Sequence, residues 1–314
     1  MSFRLTRRRL ITSTVAGGSA ATLLAPGSAH TAEPRKPRFR YCLNTGTIRG
    51  QELSLDQQIE VAAQAGYDGI EPWIRDIEAY VANGGKLEEI KKRLKDYGLR
   101  VESAIGFAQW IVDDPATRQA GLEEAKRNME LVQRLGGSHI AAPPAGATKD
   151  VQLDLFAAAE RYRALLVAGA EIGVVPQVEV WGHSANLSRL GEAVFVAIES
   201  GHPDACLLPD VYHIYKGGSA FAGLEMIDGK SMHCFHMNDY PAEPPRESIN
   251  DADRVYPGDG VAPLDQILKT LAEVGFAGAL SLELFNREYW KQDAGEVART
   301  GLKKMKDAVA RALG

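Results

Sequence analysis

From Arg40 onward the chain alternates between two periodicities. Short apolar runs rich in branched residues, read as strands, are separated by longer segments whose apolar residues recur every three or four positions, read as helices. The predicted strands are Arg40 to Asn44, Gly69 to Pro72, Leu99 to Ala104, His139 to Ala142, Val174 to Val180, Cys206 to Asp210, Met232 to Asn238 and Gly278 to Leu284. Helices are predicted for Ser54 to Ala65, Lys86 to Tyr97, Pro115 to Leu135, Val151 to Ile172, Leu187 to Glu199, Phe221 to Asp228, Pro263 to Val274 and Gly295 to Leu313. Gly66, Gly98, Gly136, Gly173, Gly201 and Gly275 stand at the ends of helices, where a left-handed cap returns the chain to the next strand. Eight such units suit a single-domain α/β protein folded as a (β/α)8 TIM barrel. A doubly wound open sheet would use fewer strands and a glycine fingerprint, and the chain has no GxGxxG at a strand end and no P-loop.

The first 29 residues break the pattern. Thr6-Arg7-Arg8-Arg9-Leu10 precedes a mildly apolar stretch to Ala25, diluted by Gly17, Gly18, Ser13 and Ser19. Pro26 and Gly27-Ser28-Ala29 then supply a small-x-small cleavage pattern. Residues 1–29 are therefore expected to be a twin-arginine export signal cleaved after Ala29, leading to the periplasm or another extracytoplasmic space. Residues 30–39 are a linker, and 40–314 the barrel. The apolar stretch is too short for a comfortable membrane span, so no stable membrane association is expected after processing.

Charge narrows the partners. The 314 residues carry 36 Lys and Arg against 41 Asp and Glu, a net of −5. Because the first 29 residues hold four arginines and no acid, the rest has 32 basic against 41 acidic residues, a net of −9. So acidic a chain is a poor general binder of nucleic acid. Cys42, Cys206 and Cys234 form no CxxC and lie in or beside predicted strands, which reads as small buried residues rather than a disulfide framework.

In such a barrel the C-terminal strand ends converge on one mouth, so a polar residue closing an apolar run is where chemistry is expected. Four consecutive strands end this way, bringing Glu179, Asp210, His236 and Glu283 together. Three carboxylates and an imidazole cannot all keep their charges in a desolvated pocket unless a cation neutralises them. The oxygen-rich donor set calls for one divalent ion, with manganese, magnesium or cobalt favoured and zinc open.

Other polar residues fall near the same mouth. His213, at Asp-x-x-His after strand six, and His183, after strand five, are placed in loops where an imidazole can bond a substrate hydroxyl. Arg254, in the long stretch after strand seven, can hold a substrate oxygen. Asn44 and Glu71 end strands one and two and are candidates for binding hydroxyls, while Trp73, Phe107, Trp110 and Trp290 are candidates for a sugar-sized aromatic wall. His233 is out of phase with His236 and should point away from the barrel interior.

At these residues the chain resembles the xylose-isomerase-like superfamily of sugar isomerases and epimerases, and the inosose isomerases within it most of all. The resemblance rests on DVYH at 210–213, HMND at 236–239, DRVYPGDG at 253–260 and SLELFNREYW at 281–290, with YDGIE at 67–71 and EVWGH at 179–183. It implies a metal held by Glu179, Asp210, His236 and Glu283, manganese first among the candidates, with Glu179 and Glu283 also serving as an acid/base pair. It implies substrate contacts from His213 and Arg254. The activity expected is proton transfer next to the carbonyl of a keto-sugar or keto-polyol, through a cis-enediolate. Two alternatives stand beside it: elimination from the same enediolate, by a dehydratase or a lyase of 3-keto-glycosides, and an exported sugar-binding protein without turnover. A metal nuclease on this fold would need more histidines and less acidic charge. Related barrels associate as dimers or tetramers, so a homo-oligomer is compatible with the sequence.

Overall fold

The computed structural model describes residues 39–314, so the segment expected to direct export and nearly all of the expected linker lie outside the described residues. Eight parallel strands are present: β1 Arg40–Asn44, β2 Gly69–Glu71, β3 Arg100–Val101, β4 His139–Ala142, β5 Val175–Glu179, β6 Leu207–Leu208, β7 Cys234–Met237 and β8 Ala279–Leu282. One ladder runs β3-β2-β1-β8-β7 and a second runs β4-β5-β6. Two seams close them into a ring. Ala141 N donates to Ala104 O at 2.8 Å beyond β3, and His236 N donates to Pro209 O at 2.9 Å beyond β6. The ladders of β3 and β6 are shorter than their apolar runs. Pro72 and Pro209, which lack the N–H that a longer ladder needs, stand at those interruptions.

Alternation along each strand sorts the side chains into two layers. Cys42, Ala141, Leu208, Cys234 and Ala279 fill the barrel interior, and all three cysteines are buried and unpaired. The opposite faces, including Leu43, Ile70, Val178, Phe235 and Leu280, pack beneath the helices. Those helices are α1 Leu55–Ala65, α2 Ile74–Ala82, α3 Leu87–Tyr97, α4 Pro115–Leu135, α5 Leu155–Ile172, α6 Leu190–Glu199, α7 Val211–Lys216, α8 Leu264–Glu273 and α9 Ala294–Leu313. Local chemistry sets their ends: Asp114 accepts from Thr117 N at 2.8 Å with Pro115 behind it, and α4 stops at Gly136, whose φ is 87°. Among the described residues no helix is long and apolar enough to cross a membrane.

Three elements depart from the sequence reading. The segment expected to be helical from Phe221 to Asp228 is a 3-10 helix ending at Met226. The residues directly after β6, expected to be a loop, form α7, whose first turn is started by the Asp210 carboxylate accepting from His213 N at 2.8 Å. α2 was not predicted at all.

Candidate active site

Glu179 closes β5, while Asp210, Asn238 and Glu283 lie one or two residues beyond the ends of their strands. His236 sits within β7, in phase with Cys234 and on the interior side. This phase converges the four predicted ligands on one point. His236 Nδ1 lies 3.3 Å from Glu283 Oε2, 3.6 Å from Asp210 Oδ2 and 3.9 Å from Glu179 Oε1. All four residues are buried. Neither His236 Nδ1 nor Glu179 Oε2 has a hydrogen-bond partner.

Two buried polar networks hold the cluster. Beneath it, Glu71 Oε2 faces His236 Nε2 at 3.0 Å and accepts from Ser281 Oγ at 2.7 Å and Asn44 Nδ2 at 2.9 Å. To one side, Asn238 Nδ2 donates to Asp210 Oδ2 at 2.9 Å while its Oδ1 accepts from Tyr212 N, tying β7 to the start of α7. Arg254, fully buried, donates from Nη1 to Glu283 Oε2 at 2.8 Å and to Asp210 Oδ2 at 3.3 Å. Its Nη2 approaches His213 Nε2 at 3.0 Å and bonds Asp251. The guanidinium carbon lies 4.4 Å from the Tyr212 ring centroid.

The field inside this cluster calls for positive charge. Burial pushes Glu179 up to about 8, His236 partly offsets this, and Glu283 adds to the rise. Burial also works against a charged His236, yet Glu283 and Glu71 overcome it and hold its pKa well above the ordinary value. His213 is pushed the other way, down to about 3, by burial first and by Arg254 next. A divalent cation meets the same demand that a proton on His236 otherwise meets. The unpartnered Nδ1, the unpartnered Glu179 oxygen and the convergence of Asp210, His236 and Glu283 donor atoms within 4.8 Å of one another fit such an ion.

Above the cluster lies a cavity of about 430 Å³, lined by Glu179, Glu283, His213 and Arg254, with Trp73, Phe107, Trp181 and Trp290 among its walls. A larger cavity of about 950 Å³ lies at the other end of the strands, around Arg40, His139 and His233. It contains none of the convergent carboxylates, so we place the chemistry at the smaller one. His233 packs against His139 there, with ring centroids 4.1 Å apart and planes tilted by 31°, away from His236 as its phase required.

Several predicted residues find other places. His183 reaches the cavity rim, exposed and beside His213, with ring centroids 5.4 Å apart. His213 lies in α7 rather than in a loop. Asn44 and Glu71, expected to bind substrate hydroxyls, are fully buried beneath the ligands. Asn44 uses its whole amide: Nδ2 donates to Glu71 and Glu283, and Oδ1 accepts from Trp73 Nε1 and Gly46 N. Trp110 is absent from the wall, because its indole is buried, bonds Pro143 O at 2.8 Å and packs on Tyr162. Sequence reasoning missed Asn238, Asp251, Ser281, Trp181 and Phe285. Asn238 and Ser281 stood in quoted strand-end segments, so the signal for them was phase: both alternate with residues already chosen.

Comparison with known proteins places this geometry among relatives. The family model described as Xylose isomerase-like TIM barrel matches residues 59–308. The chain is 28% identical over 278 residues to an inosose isomerase of Bacillus licheniformis, covering 83% of this chain and 95% of the relative. It is 27% identical over 241 residues to a 3-dehydroshikimate dehydratase of Pseudomonas aeruginosa, covering 74% of this chain but 36% of that longer protein. Among solved structures, the IOLI protein with a bound zinc atom superposes with a TM-score of 0.79 at 24% identity, over 87% of this chain and 99% of that one.

Proposed function

This chain belongs to the xylose isomerase-like TIM barrel family, and we propose that within it the protein is a divalent-metal-dependent isomerase or epimerase of keto-sugars or keto-polyols. The observation that carries the proposal is His236 Nδ1, buried without a partner and surrounded by Glu179, Asp210 and Glu283 at 3.3 to 3.9 Å. A divalent cation held by these four residues would supply Lewis-acid stabilisation of the charge that builds on a substrate carbonyl oxygen and its neighbouring oxygen. Manganese is our first assignment, with magnesium, cobalt or zinc as the other candidates for this donor set.

Glu179 and Glu283 border the cavity from strands on opposite sides of His236, as a base and an acid on two faces of a substrate require. One takes the proton from the carbon next to the carbonyl, giving the cis-enediolate. The other delivers a proton. Arg254 neutralises Glu283 and Asp210, with both of its terminal nitrogens engaged by protein partners, and His213 beside it is held unprotonated. The aromatic walls cover the C–H faces of a sugar-sized ring and exclude water.

The test is proton NMR in D₂O of residues 30–314 with Mn²⁺ and a panel containing 2-keto-myo-inositol, a 3-keto-glucoside and common ketoses. Loss of a C–H signal beside the carbonyl, abolished by chelator, supports the reading. Absence of exchange with every ketone despite bound metal favours a sugar-binding protein. The dehydratase relative supports a second reading, elimination from the same enediolate, which the same spectra distinguish by release of water or an aglycone. We further propose that residues 1–29 direct the protein to the periplasm by the twin-arginine route. Fractionation of a cell expressing the full chain, against one with Arg7 and Arg8 changed to Lys, tests it.

A further inference from the structure

A cationic side chain at the mouth has no partner of opposite charge. Arg49 lies just after β1 and lines the cavity, half-buried. Its guanidinium carbon is 5.0 Å from the Trp73 ring centroid, 5.3 Å from Phe285 and 4.9 Å from Trp290. Among the described residues its guanidinium has no hydrogen bond and no ion pair. Arg75, 4.6 Å over the same Trp73, is paired with Asp76, whereas Arg287, also on the cavity wall, has no such partner. Arg254 differs sharply, since three carboxylates surround it.

Three aromatic rings fix a guanidinium in place while leaving its in-plane N–H groups free, because ring faces attract the cation without accepting those hydrogens in line. Phe285 lies against both cations, its centroid 5.3 Å from the Arg49 guanidinium carbon and 5.0 Å from that of Arg254. The two cations are thus no farther apart than these two distances end to end, a span that one substituted six-membered ring bridges. One end of that span adjoins Glu283 and Asp210, and the other is an open, preorientated fork that matches a carboxylate or a phosphate.

We infer that the substrate is an anionic ketone, bound with its carboxylate or phosphate on Arg49, Arg287 flanking it, and its carbonyl at the carboxylate–imidazole cluster. This rests on the proposed enolisation chemistry and adds the class of substrate to it. Arg49 is the specificity-determining residue in this assignment, since a neutral keto-polyol leaves its fork unmatched and an anionic one fills it.

The experiment uses the residue 30–314 protein with four probes: 3-dehydroshikimate (carboxylate), 2-keto-myo-inositol (neutral), D-fructose 6-phosphate and D-fructose. Binding is followed by intrinsic tryptophan fluorescence, to which the cavity residues Trp73, Trp181 and Trp290 contribute, in chelator-treated protein, and α-proton exchange by NMR with Mn²⁺ restored. At least one anionic probe is expected to bind at least about tenfold more tightly than its neutral counterpart. Arg49→Met should weaken that probe about ten- to hundredfold and leave the neutral one within twofold, and Arg49→Lys should recover part of the loss. The carboxylate and phosphate arms show which anion fits. Equal binding of charged and neutral probes, or an unchanged ratio in Arg49→Met, overturns the assignment even if exchange is seen. Anion-selective binding lost in Arg49→Met, with no exchange on any ketone, supports the anion site while refuting the enolisation chemistry.

Discussion

Glu71→Gln tests how the imidazole is presented to the proposed metal. Burial works to raise the Glu71 pKa, but His236, Ser281 and Asn44 together hold it below the ordinary carboxylate range, so Glu71 is an acceptor only. His236 must then donate from Nε2, which leaves the Nδ1 lone pair facing Glu179, Asp210 and Glu283. In the Gln variant the carbonyl oxygen can take the place of Oε2 and keep all three donors, at 2.7 to 3.0 Å. The new amide nitrogen faces Cys234 Sγ, 3.9 Å from the present Oε1. Shape and hydrogen bonding are therefore conserved, and the negative charge behind the imidazole is what disappears. Loss of such an outer partner costs about 10- to 100-fold in metal affinity, or roughly 1.4 to 2.7 kcal/mol. Competition of Mn²⁺ binding against a fluorescent chelator measures it, with Glu273→Gln, exposed at the end of α8, as an equal change of charge outside the site. Glu71→Gln with an unchanged Tm and metal affinity within twofold of the parent would refute the reasoning, because His236 would then not need its carboxylate to act as a ligand.

Four further outcomes follow from the same structure. Glu179→Gln and Glu283→Gln should each reduce α-proton exchange by at least about a hundredfold, and near-normal exchange in both would remove them from the acid/base role. Trp110→Phe should lower stability by about 1 kcal/mol through its lost bond to Pro143 and leave KM unchanged; a raised KM would return Trp110 to the pocket wall. In Gly217→Ala a methyl group would press on the backbone carbonyl of Ser188, where nothing flexible can yield, so a destabilisation of about 1 to 3 kcal/mol is expected in urea unfolding. Burial and then His233 push His139 down to about 3, so the unfolded chain binds the extra proton first as pH falls. Its contribution is complete above pH 6.5 and is lost progressively below, by at most about 2 kcal/mol between pH 7.5 and 5.0; His139→Asn should flatten that part of the stability curve.

The barrel was legible because its strands are buried and their boundaries chemically marked. Helices ending at Gly66, Gly98, Gly136 and Gly173 announce themselves through residues that take positive φ, and the strand that follows begins within a few positions of each. α7 was not legible for the opposite reason. Six residues give too little periodicity to detect, and what starts the helix is Asp210, which had been read only as a ligand. One carboxylate here does both: Oδ1 accepts from His213 N, while Oδ2 faces His236 and Arg254.

The same limit explains which site residues could be read. A polar residue near the end of an apolar run contradicts its surroundings, and four such contradictions in consecutive strands, three carboxylates and an imidazole, located Glu179, Asp210, His236 and Glu283. Asn44 and Glu71 carry that local signal too, yet their roles depend on register. Asn44 pairs with Glu71 across β1 and β2, and Glu71 meets a histidine 165 residues away on a strand that is not its neighbour. Access to the cavity, rather than residue type, separates a proposed ligand from its support. Glu71 lies below His236 and finds Nε2, Ser281 and Asn44, so its lone pairs are spent inside the protein. Glu179 lies 3.9 Å from Nδ1 and lines the cavity, and one of its oxygens bonds to nothing. Two glutamates of the same sequence character are thus divided by their surroundings, the enclosed one fixing the imidazole and the one on the cavity left free to meet the proposed metal and substrate.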